Sequence, residues 1–378
     1  MIEHTAGQRI AVRTAAIGLP GANGEDPVSV PEDDWPNVLS KLSSQRLTGL
    51  ALAGVDSGEL LLADGQLQDL LDRHRQSMSL ALELERVLVA VGSRFAGAGL
   101  EFVVLKGPAL ARSFYPDPTL RPFVDLDLLV RTRDWRRACD LLAELGYQRV
   151  QPEPRSGFDE RFGKAAAHRS AKGLWIDLHR TLVVGPFGLW LDPEELFEGS
   201  TPLVLADRTF RRLADTTALL HACMHASLGL WPPLLLPVRD VAQVSSVGDL
   251  DWELFLERAR RWRLQAVVRH AFRTDSDVLG LPPPQQAREV VTEAPRARES
   301  RALEAYFGGT RSRGVALATL HAIPGIRAKG AYIRALLLPQ RDFLAVRAGR
   351  GRRASYLRRW LVPFRWFASR PRDRKSLR

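Results

Sequence analysis

Residues 102–130 read FVVLKGPALARSFYPDPTLRPFVDLDLLV and contain two apolar runs, each interrupted by charged residues. The first run ends in Lys106-Gly107, and the second carries Asp125 and Asp127. Because side chains alternate along a strand, we expect the two aspartates on one face, while the leucine between them faces a core. Two carboxylates at this spacing suit Mg²⁺, and a glycine turn with a lysine suits phosphate oxygens. Metal and phosphate together predict nucleotidyl transfer.

Hydrophobic periodicity predicts an alternation of strands and helices around these aspartates. The predicted elements are strand Phe102–Leu105, helix Pro108–Phe114, strand Val124–Val130, helix Thr132–Leu145, and strands Phe162–Arg169 and Leu174–Thr181. The sequence SAKG, residues 170–173, is expected to form the turn of a hairpin between the last two strands. Further helices are predicted at Ala214–Leu230, Leu236–Ser246 and Asp251–Arg273.

The second strand of this hairpin supplies a third carboxylate. It reads LWIDLHRT, so Asp177 and His179 are expected to share the face opposite its apolar side chains. Two-metal nucleotidyl transfer needs three carboxylates, two that hold both ions and one that can help deprotonate the attacking hydroxyl. We therefore interpret Asp125, Asp127 and Asp177 as catalytic residues and as ligands of Mg²⁺ or Mn²⁺.

The remaining polar residues of the region receive roles around these carboxylates. Lys106 and Gly107 are expected to hold the β- and γ-phosphates of an NTP, and Arg121 to add a charge-assisted contact. His179 is a candidate for orienting a carboxylate or the acceptor. The alternative is structural, because an Asp-x-Asp pair is common at strand ends; the ordered set of strands argues for a site, since buried acids need a cation or donor.

The chain resembles the uncharacterised nucleotidyltransferase family within the DNA polymerase β-like superfamily, over roughly Trp35–Pro363. The matching pieces are VVLKGPAL, the segment with Tyr115 and Arg121, FVDLDLLV, LLAELGY and WIDLHRTL, with weaker agreement in LLHACMHAS and PVRDVAQV. The resemblance implies an α+β fold, with a nucleotidyltransferase-like mixed β-sheet, helices packed on one side, and N- and C-terminal helical flanks. It also implies an NTP donor and, because such genes often accompany peptide-modifying and natural-product genes, a small-molecule or peptide acceptor.

The first turn departs from the pattern of the wider superfamily. That pattern has a Gly-Gly or Gly-Ser pair whose serine contacts phosphate, whereas this chain has Lys106-Gly107-Pro108. Pro108 has no backbone N–H to donate. The phosphate contact is therefore expected from Lys106 or from elsewhere, and polymerase-like substrates are disfavoured.

Composition places most of the charge at the C-terminus. The chain has 378 residues and a net charge of +11. Residues 327–378 contain 16 Lys/Arg and two acids, a net charge of +14, which leaves −3 for the rest. The high isoelectric point is therefore weak evidence for a nucleic-acid-binding active site. Two cysteines and the lack of a signal peptide or long apolar run predict a cytoplasmic protein.

We divide the chain into five parts and leave three interpretations of the last one open. The parts are a flexible leader (1–34), an N-terminal helical region (35–99), the catalytic core (100–200), a C-terminal helical region (201–326) and a basic aromatic tail (327–378). The tail can pack onto the body through Leu336, Leu337, Phe343, Trp360 and Trp366. It can instead lie on an anionic membrane, which would make the protein peripheral, or contact nucleic-acid phosphates.

Three residues outside the core carry open alternatives. His221 and His225 lie four residues apart on a predicted helix, a spacing that can bind Zn²⁺, but no third ligand is evident. Packing is the simpler interpretation, and His225 is a candidate acceptor contact. Asp240 is a cap, an ion-pair partner in the neighbourhood of Arg239, or a substrate contact.

Two rival functions belong to other classes. The first is a catalytically inactive scaffold on the same fold, which docks a biosynthetic partner or membrane through the basic tail. The second is a toxin–antitoxin-type nucleotidyltransferase that modifies RNA or protein. The complete carboxylate set argues against the scaffold, whereas the missing phosphate-turn serine argues for it.

Overall fold

A computed structural model describes residues 5–22, 26–229, 233–307 and 311–348. Its helices are α1 (Ala6–Ala16), α2 (Trp35–Ser44), α3 (Thr48–Asp56), α4 (Asp64–Gly97), α5 (Pro108–Phe114), α6 (Trp135–Glu144), α7 (Phe158–Phe162), α8 (Pro186–Trp190), α9 (Asp215–Leu228), α10 (Leu235–Ser245), α11 (Trp252–Arg261), α12 (Gln265–Leu279), α13 (Arg288–Thr292), α14 (Ala297–Glu304), α15 (Arg311–Ala322), α16 (Ile326–Leu337) and α17 (Arg341–Ala348). Its strands are β1 (Val28–Ser29), β2 (Leu60–Leu61), β3 (Phe102–Val104), β4 (Leu126–Val130), β5 (Gln148–Arg149), β6 (Ala165–Arg169), β7 (Trp175–His179), β8 (Thr201–Leu205) and β9 (Arg208–Arg212).

The described residues contain a mixed seven-stranded sheet in the order β5-β6-β7-β4-β3-β9-β8. Strand β4 is central, parallel to β7 and antiparallel to β3. The hairpin expected around SAKG is present as β6 and β7, which pair antiparallel. The α+β class with a mixed sheet and flanking helices is therefore confirmed.

One face of the sheet is an apolar core. Side chains such as Leu126, Leu128 and Ile176 point to this face and are fully buried. Helices α4 and α6 cover them, with Leu88 and Leu142 in the same cluster. Because side chains alternate, the aspartates between these apolar residues must face the opposite side of the sheet.

The opposite face is covered in part by the C-terminal helices. Val103 and Leu129 point to it and join a cluster that includes residues of α5, α8, α9 and α12. This second core stops short of β6 and β7, where the same face carries polar and small side chains. One face of the sheet is thus apolar and buried, whereas part of the other face is polar.

The segment expected to be a flexible leader, residues 1–34, contains a packed helix. The Gly-, Pro- and acid-rich residues from Gly18 onward led to the expectation of a loop for the whole segment. Helix α1 begins at Ala6, where the Thr5 hydroxyl caps it by accepting a hydrogen bond from Gln8 N–H. Its buried face, which includes Ile10 and Ala15, packs in a cluster with α2, α3 and α10. Apolar burial therefore holds this segment, although it precedes the first predicted helix.

The sheet also extends beyond the expected end of the catalytic core at residue 200. Strands β8 and β9 form a hairpin whose second strand pairs with β3 through Val104 and Arg212. Downstream, the expected helix Asp251–Arg273 is two helices, α11 and α12. The break falls at Arg263, whose φ of +57° is incompatible with a continuous α-helix.

The first part of the basic tail packs against the body. In α16 and α17, Tyr332 and Phe343 are buried. Leu336 packs against the cluster that contains Tyr332, whereas Leu337 is exposed. Trp360 and Trp366 lie outside the described residues. Cys139 and Cys223 are both free thiols. In the described part of the chain, no helix combines the length and apolar character needed to cross a bilayer.

A buried ion pair ties the segment before β4 to α10. The Arg121 guanidinium donates from Nε and Nη2 to the two oxygens of Asp240, both at 2.7 Å. The Tyr115 hydroxyl donates to the same carboxylate at 2.8 Å. Burial disfavours the charge on Arg121, but Asp240 outweighs this effect and raises the pKa of the guanidinium. Asp240 is therefore an ion-pair partner, one of its three expected roles.

Replacing Arg121 with glutamine leaves the Asp240 carboxylate buried without its bidentate cation. We expect the free energy of unfolding to fall by about 3–5 kcal/mol, the typical result of breaking a buried pair on one side. Urea denaturation measures it. The matched control is Arg75→Gln, because Arg75 and Asp72 form an exposed pair that is expected to contribute about 0–1 kcal/mol. Equal effects for the two variants would contradict this account.

Candidate active site

The site is built on the parallel pair β4 and β7. Asp127 and Asp177 are register partners on these neighbouring strands, so their side chains point to the same face. His179 lies two residues after Asp177 on that face. The ligand atoms of these three residues lie within 4.8 Å of one another, a group that could hold a metal ion. The geometry thus joins two of the three predicted metal ligands.

Asp127 is the most buried of the carboxylates and is surrounded by cationic groups. Its side chain is only 2% exposed, and its Oδ1 lies 3.0 Å from the Lys106 Nζ. Burial opposes the charge, but Lys106 and His179 together outweigh it and hold the pKa of Asp127 well below its usual range. Asp127 is therefore an anion at neutral pH.

The turn at Gly107 brings Lys106 to this carboxylate. Leu105 N–H donates to Asp127 O at 3.0 Å, which fixes the end of β3 against β4. Gly107 then adopts a φ of +51°, which L-residues with side chains rarely adopt, and α5 begins at Pro108. This turn keeps the Lys106 side chain next to β4, where its Nζ contacts Asp127.

His179 is fully buried and both of its ring nitrogens have partners. Its Nε2 lies 2.8 Å from Asp127 Oδ1, and its Nδ1 lies 3.1 Å from Thr181 O. Burial lowers the pKa of His179, and nearby Lys164 adds to this effect, while Asp127 opposes it. The ring therefore contacts the Asp127 carboxylate from β7, and its role in orienting that carboxylate stays a prediction.

Asp125 lies at the mouth of the site, one residue before β4, and is outside the three-residue ligand group. Burial and the charge of Asp127 raise its pKa, and Lys106 and Arg46 oppose this shift. Asp125 and Asp127, the two predicted metal ligands of the Asp-x-Asp pair, therefore differ in burial and in the direction of their pKa shift. Asp127 is a buried, strongly ionised group, whereas Asp125 is a more exposed carboxylate with a raised pKa.

Arg121 lies behind the turn at Gly107. Two of its nitrogens are committed to Asp240, and its Nη1 approaches the carbonyl oxygen of Gly107 at 3.4 Å. The guanidinium group thus contacts the turn that carries Lys106 through the Gly107 carbonyl. A direct contact with a triphosphate, predicted from the sequence, would compete with the Asp240 pair.

Two basic residues near the carboxylates were missed in the sequence. Lys164 directly precedes β6; burial and Lys106 lower its pKa, and the three aspartates oppose this shift. Its backbone O accepts from Arg180 N–H at 2.8 Å, which continues the hairpin. Lys164 could have been found from the sequence, because it lies in the predicted strand Phe162–Arg169 that pairs with the strand carrying Asp177. Arg46, in a left-handed turn between α2 and α3, acts on Asp125, and no local signal marks it.

His221 and His225 face the site from α9. Burial lowers the pKa of both rings, and the positive charge of Lys106 is the second cause in each case. His225 lines a small cavity of about 130 Å³ together with Arg46 and Arg121. Among the described residues, neither histidine belongs to a three-ligand group, so the Zn²⁺ interpretation gains no support.

The chain belongs to a family described as uncharacterised nucleotidyltransferases, whose family model matches residues 31–280. The matched range includes the whole sheet and the carboxylate group, and it ends after α12. Helices α13–α17 lie beyond it, so the match is shorter at the C-terminal end than the resemblance to Pro363 predicts. No curated protein matches the chain.

Replacing His179 with leucine removes a ring whose nitrogens face Asp127 Oδ1 and Thr181 O, and it leaves without a donor whichever of these buried oxygens accepts the single N–H of the neutral ring. We expect the free energy of unfolding to fall by about 1–3 kcal/mol, the usual cost of an unsatisfied buried group. The control is His321→Leu: this ring is exposed on α15, so a change within about 0.5 kcal/mol is expected. Urea denaturation of both variants checks this, and an unchanged His179→Leu protein would contradict the assigned role.

Proposed function

We propose that this protein is a nucleotidyltransferase that uses a divalent metal, Mg²⁺ or Mn²⁺, to transfer an NMP group from an NTP to an acceptor. The acceptor is a small molecule or a peptide that offers a hydroxyl, an amine or a phosphate. The observation that carries the proposal is the register of Asp127 and Asp177 on neighbouring parallel strands, with Lys106 and Lys164 beside them. Family membership supports the same reaction class.

The carboxylates suit the implied metal. Mg²⁺ and Mn²⁺ prefer oxygen ligands, and Asp127 retains acceptor sites beyond the two contacts on its Oδ1. Asp127 and Asp177 would hold the metal, with Asp125 contributing from the mouth of the site. When bound, the metal would neutralise the triphosphate and stabilise the developing charge.

Lys106 would bind the β- and γ-phosphates, because its ammonium group is attached to the turn beside Asp127. Gly107 permits this turn, and Arg121 would support NTP binding by fixing it from behind through the Gly107 carbonyl. His179 would orient Asp127, and His225 would approach the acceptor or phosphate from α9. His179 and Arg121 are already held by Asp127 and the Gly107 carbonyl, whereas Lys106 would have to leave Asp127 to reach a phosphate.

One observation favours the scaffold alternative. The ammonium group of Lys106 lies 3.0 Å from Asp127 Oδ1, so a protein cation occupies a position in which a metal would act. In a catalytically inactive protein this pair would be permanent and purely structural. In the proposed enzyme, Lys106 exchanges Asp127 for phosphate oxygens when the metal and the NTP bind.

Thermal unfolding with each NTP, with and without Mg²⁺, tests the proposal. We expect a higher melting temperature for at least one NTP in the presence of Mg²⁺, because a ligand that binds the folded state stabilises it. Asp127→Asn should abolish this shift, whereas the control Asp140→Asn, on the exposed face of α6, should retain it. Absence of a shift for every NTP would favour the scaffold.

Lys106→Met distinguishes the two interpretations of the Lys106–Asp127 pair. If Lys106 moves to phosphate, the variant should bind the NTP about 10–100-fold more weakly, since a charge-assisted hydrogen bond contributes about 1.5–3 kcal/mol. The same variant should bind free Mn²⁺ more tightly than the wild type, because the competing ammonium is gone. Mn²⁺ titration followed by electron paramagnetic resonance measures this, with exposed Lys172→Met as control. Unchanged Mn²⁺ and NTP affinities would contradict the assignment.

A further inference from the structure

A cavity of about 600 Å³ opens beside the carboxylates on the same face of the sheet. Asp177 and Lys164 line one end of it, and helices α15, α16 and α17 line the other side. Its size is within the range of small-molecule binding sites, about 300–1,000 Å³. The cavity is thus continuous with the catalytic group through Asp177.

Small side chains create this space. Ala165 and Ala167 are the register partners of His179 and Asp177, so they point to the same face and leave room above β6. Across the cavity, Ala316 of α15 and Ala335 of α16 also line it. A larger side chain at any of these positions would occupy the space beside Asp177.

An aromatic cluster forms one wall. Tyr332 stacks on Phe158 with ring centroids 5.9 Å apart, and it meets Phe162 edge-on at 5.2 Å. Because the three rings hold one another, they offer a fixed apolar surface to a ligand.

The helix that closes the cavity is anchored to the body. Arg311, at the start of α15, donates hydrogen bonds to the carbonyl oxygens of Leu228 and Gly229. Gly185 lies at the same wall with a φ of +93°, and a Cβ there would come within 2.8 Å of Val315 Cγ1 on α15. Close packing therefore holds α15 in place over the cavity.

The charges around the cavity distinguish its occupant from a triphosphate. Lys106 and Arg46, the cations that act on Asp125, are absent from its lining. The lining cations are Lys164, beside Asp177, and Arg311, whose guanidinium is committed to the Leu228 and Gly229 carbonyl oxygens. Asp159 also lines the cavity and forms an ion pair with Arg149. An anionic chain of phosphates suits the Lys106 side of the site, while the cavity suits an apolar body that carries one polar group.

We propose that this cavity is the acceptor subsite, and that the acceptor is an alcohol with an aromatic or branched aliphatic body. The body packs on the aromatic cluster, and the hydroxyl points to Asp177 and Lys164. In the transfer, the acceptor oxygen bonds to the α-phosphorus, the bond from that phosphorus to the bridging oxygen breaks, and pyrophosphate leaves. The hydroxyl proton is released to solvent.

This inference rests on the proposed function and extends it to a part of the chain that the family model does not match. The outer wall comes from residues 311–343, beyond the matched range 31–280. The acceptor class therefore depends on both the matched region, through Phe158 and Phe162, and the C-terminal helices beyond it.

Binding of 2-(2-naphthyl)ethanol to the full chain tests the inference. Calorimetric titration is made with Mg²⁺ and a non-hydrolysable analogue of the NTP that gives the thermal shift, or with Mg²⁺ alone if none does. We expect the wild type to bind the probe, and Ala167→Phe to bind it at least tenfold more weakly with an unchanged NTP shift. Ala143→Phe, exposed on α6 behind the sheet, is the control and should bind like the wild type.

Ala316→Phe fills the same cavity from the helical wall and decides the question if Ala167→Phe does not fold. Failure of the wild type to bind the probe, or undiminished binding by the folded cavity variants, would overturn the inference. Loss of the NTP shift in a folded cavity variant would assign the cavity to the nucleotide and also overturn it. Failure of the proposed function is a separate result, namely no Mg²⁺-dependent NTP shift in the wild type.

Discussion

The site depends on the compensation of one buried negative charge, that of Asp127. An isolated carboxylate at this depth would cost several kcal/mol, so the fold has to bring a cation or a donor to it. Lys106 reaches it from the turn after β3, and His179 reaches it from β7. Each contact requires its strand to pair with β4 in one register. The same arrangement that compensates the charge of Asp127 therefore brings Lys106 and His179 to it, and Asp127, Asp177 and His179 form a group that could hold a metal ion.

The unequal faces of the sheet explain where the chemistry lies. Helices α4 and α6 fill one face with apolar side chains, which leaves the opposite face for Asp127 and Asp177. There, the C-terminal helices pack against β3 and β4 but stand away from β6, where alanines line the surface. The gap adjoins the carboxylates. The alternation of side-chain direction along β4, β6 and β7 thus places the apolar core on one face of the sheet and the site on the other.

The sequence predicted those features that depend on local pattern. Strand alternation brought Asp177 and His179 to one face, and the SAKG turn indicated the hairpin that contains them. Contacts between distant segments were not predictable in this way. The partner of Arg121 is 119 residues away on α10, and Arg46 approaches Asp125 from a turn between two N-terminal helices. The burial of α1 and the pairing of β9 with β3 likewise depend on tertiary packing, which local propensity does not encode.

The central claim is that Asp127 and Asp177 together hold the metal that binds the NTP. Crystals of the full chain with Mn²⁺ and a non-hydrolysable NTP analogue would test it through the anomalous scattering of manganese. The account predicts an anomalous peak coordinated directly by oxygens of both aspartates and by the triphosphate, with Lys106 moved from Asp127 to a phosphate. A triphosphate bound elsewhere, or an intact Lys106–Asp127 pair with no manganese between the two aspartates, would contradict it.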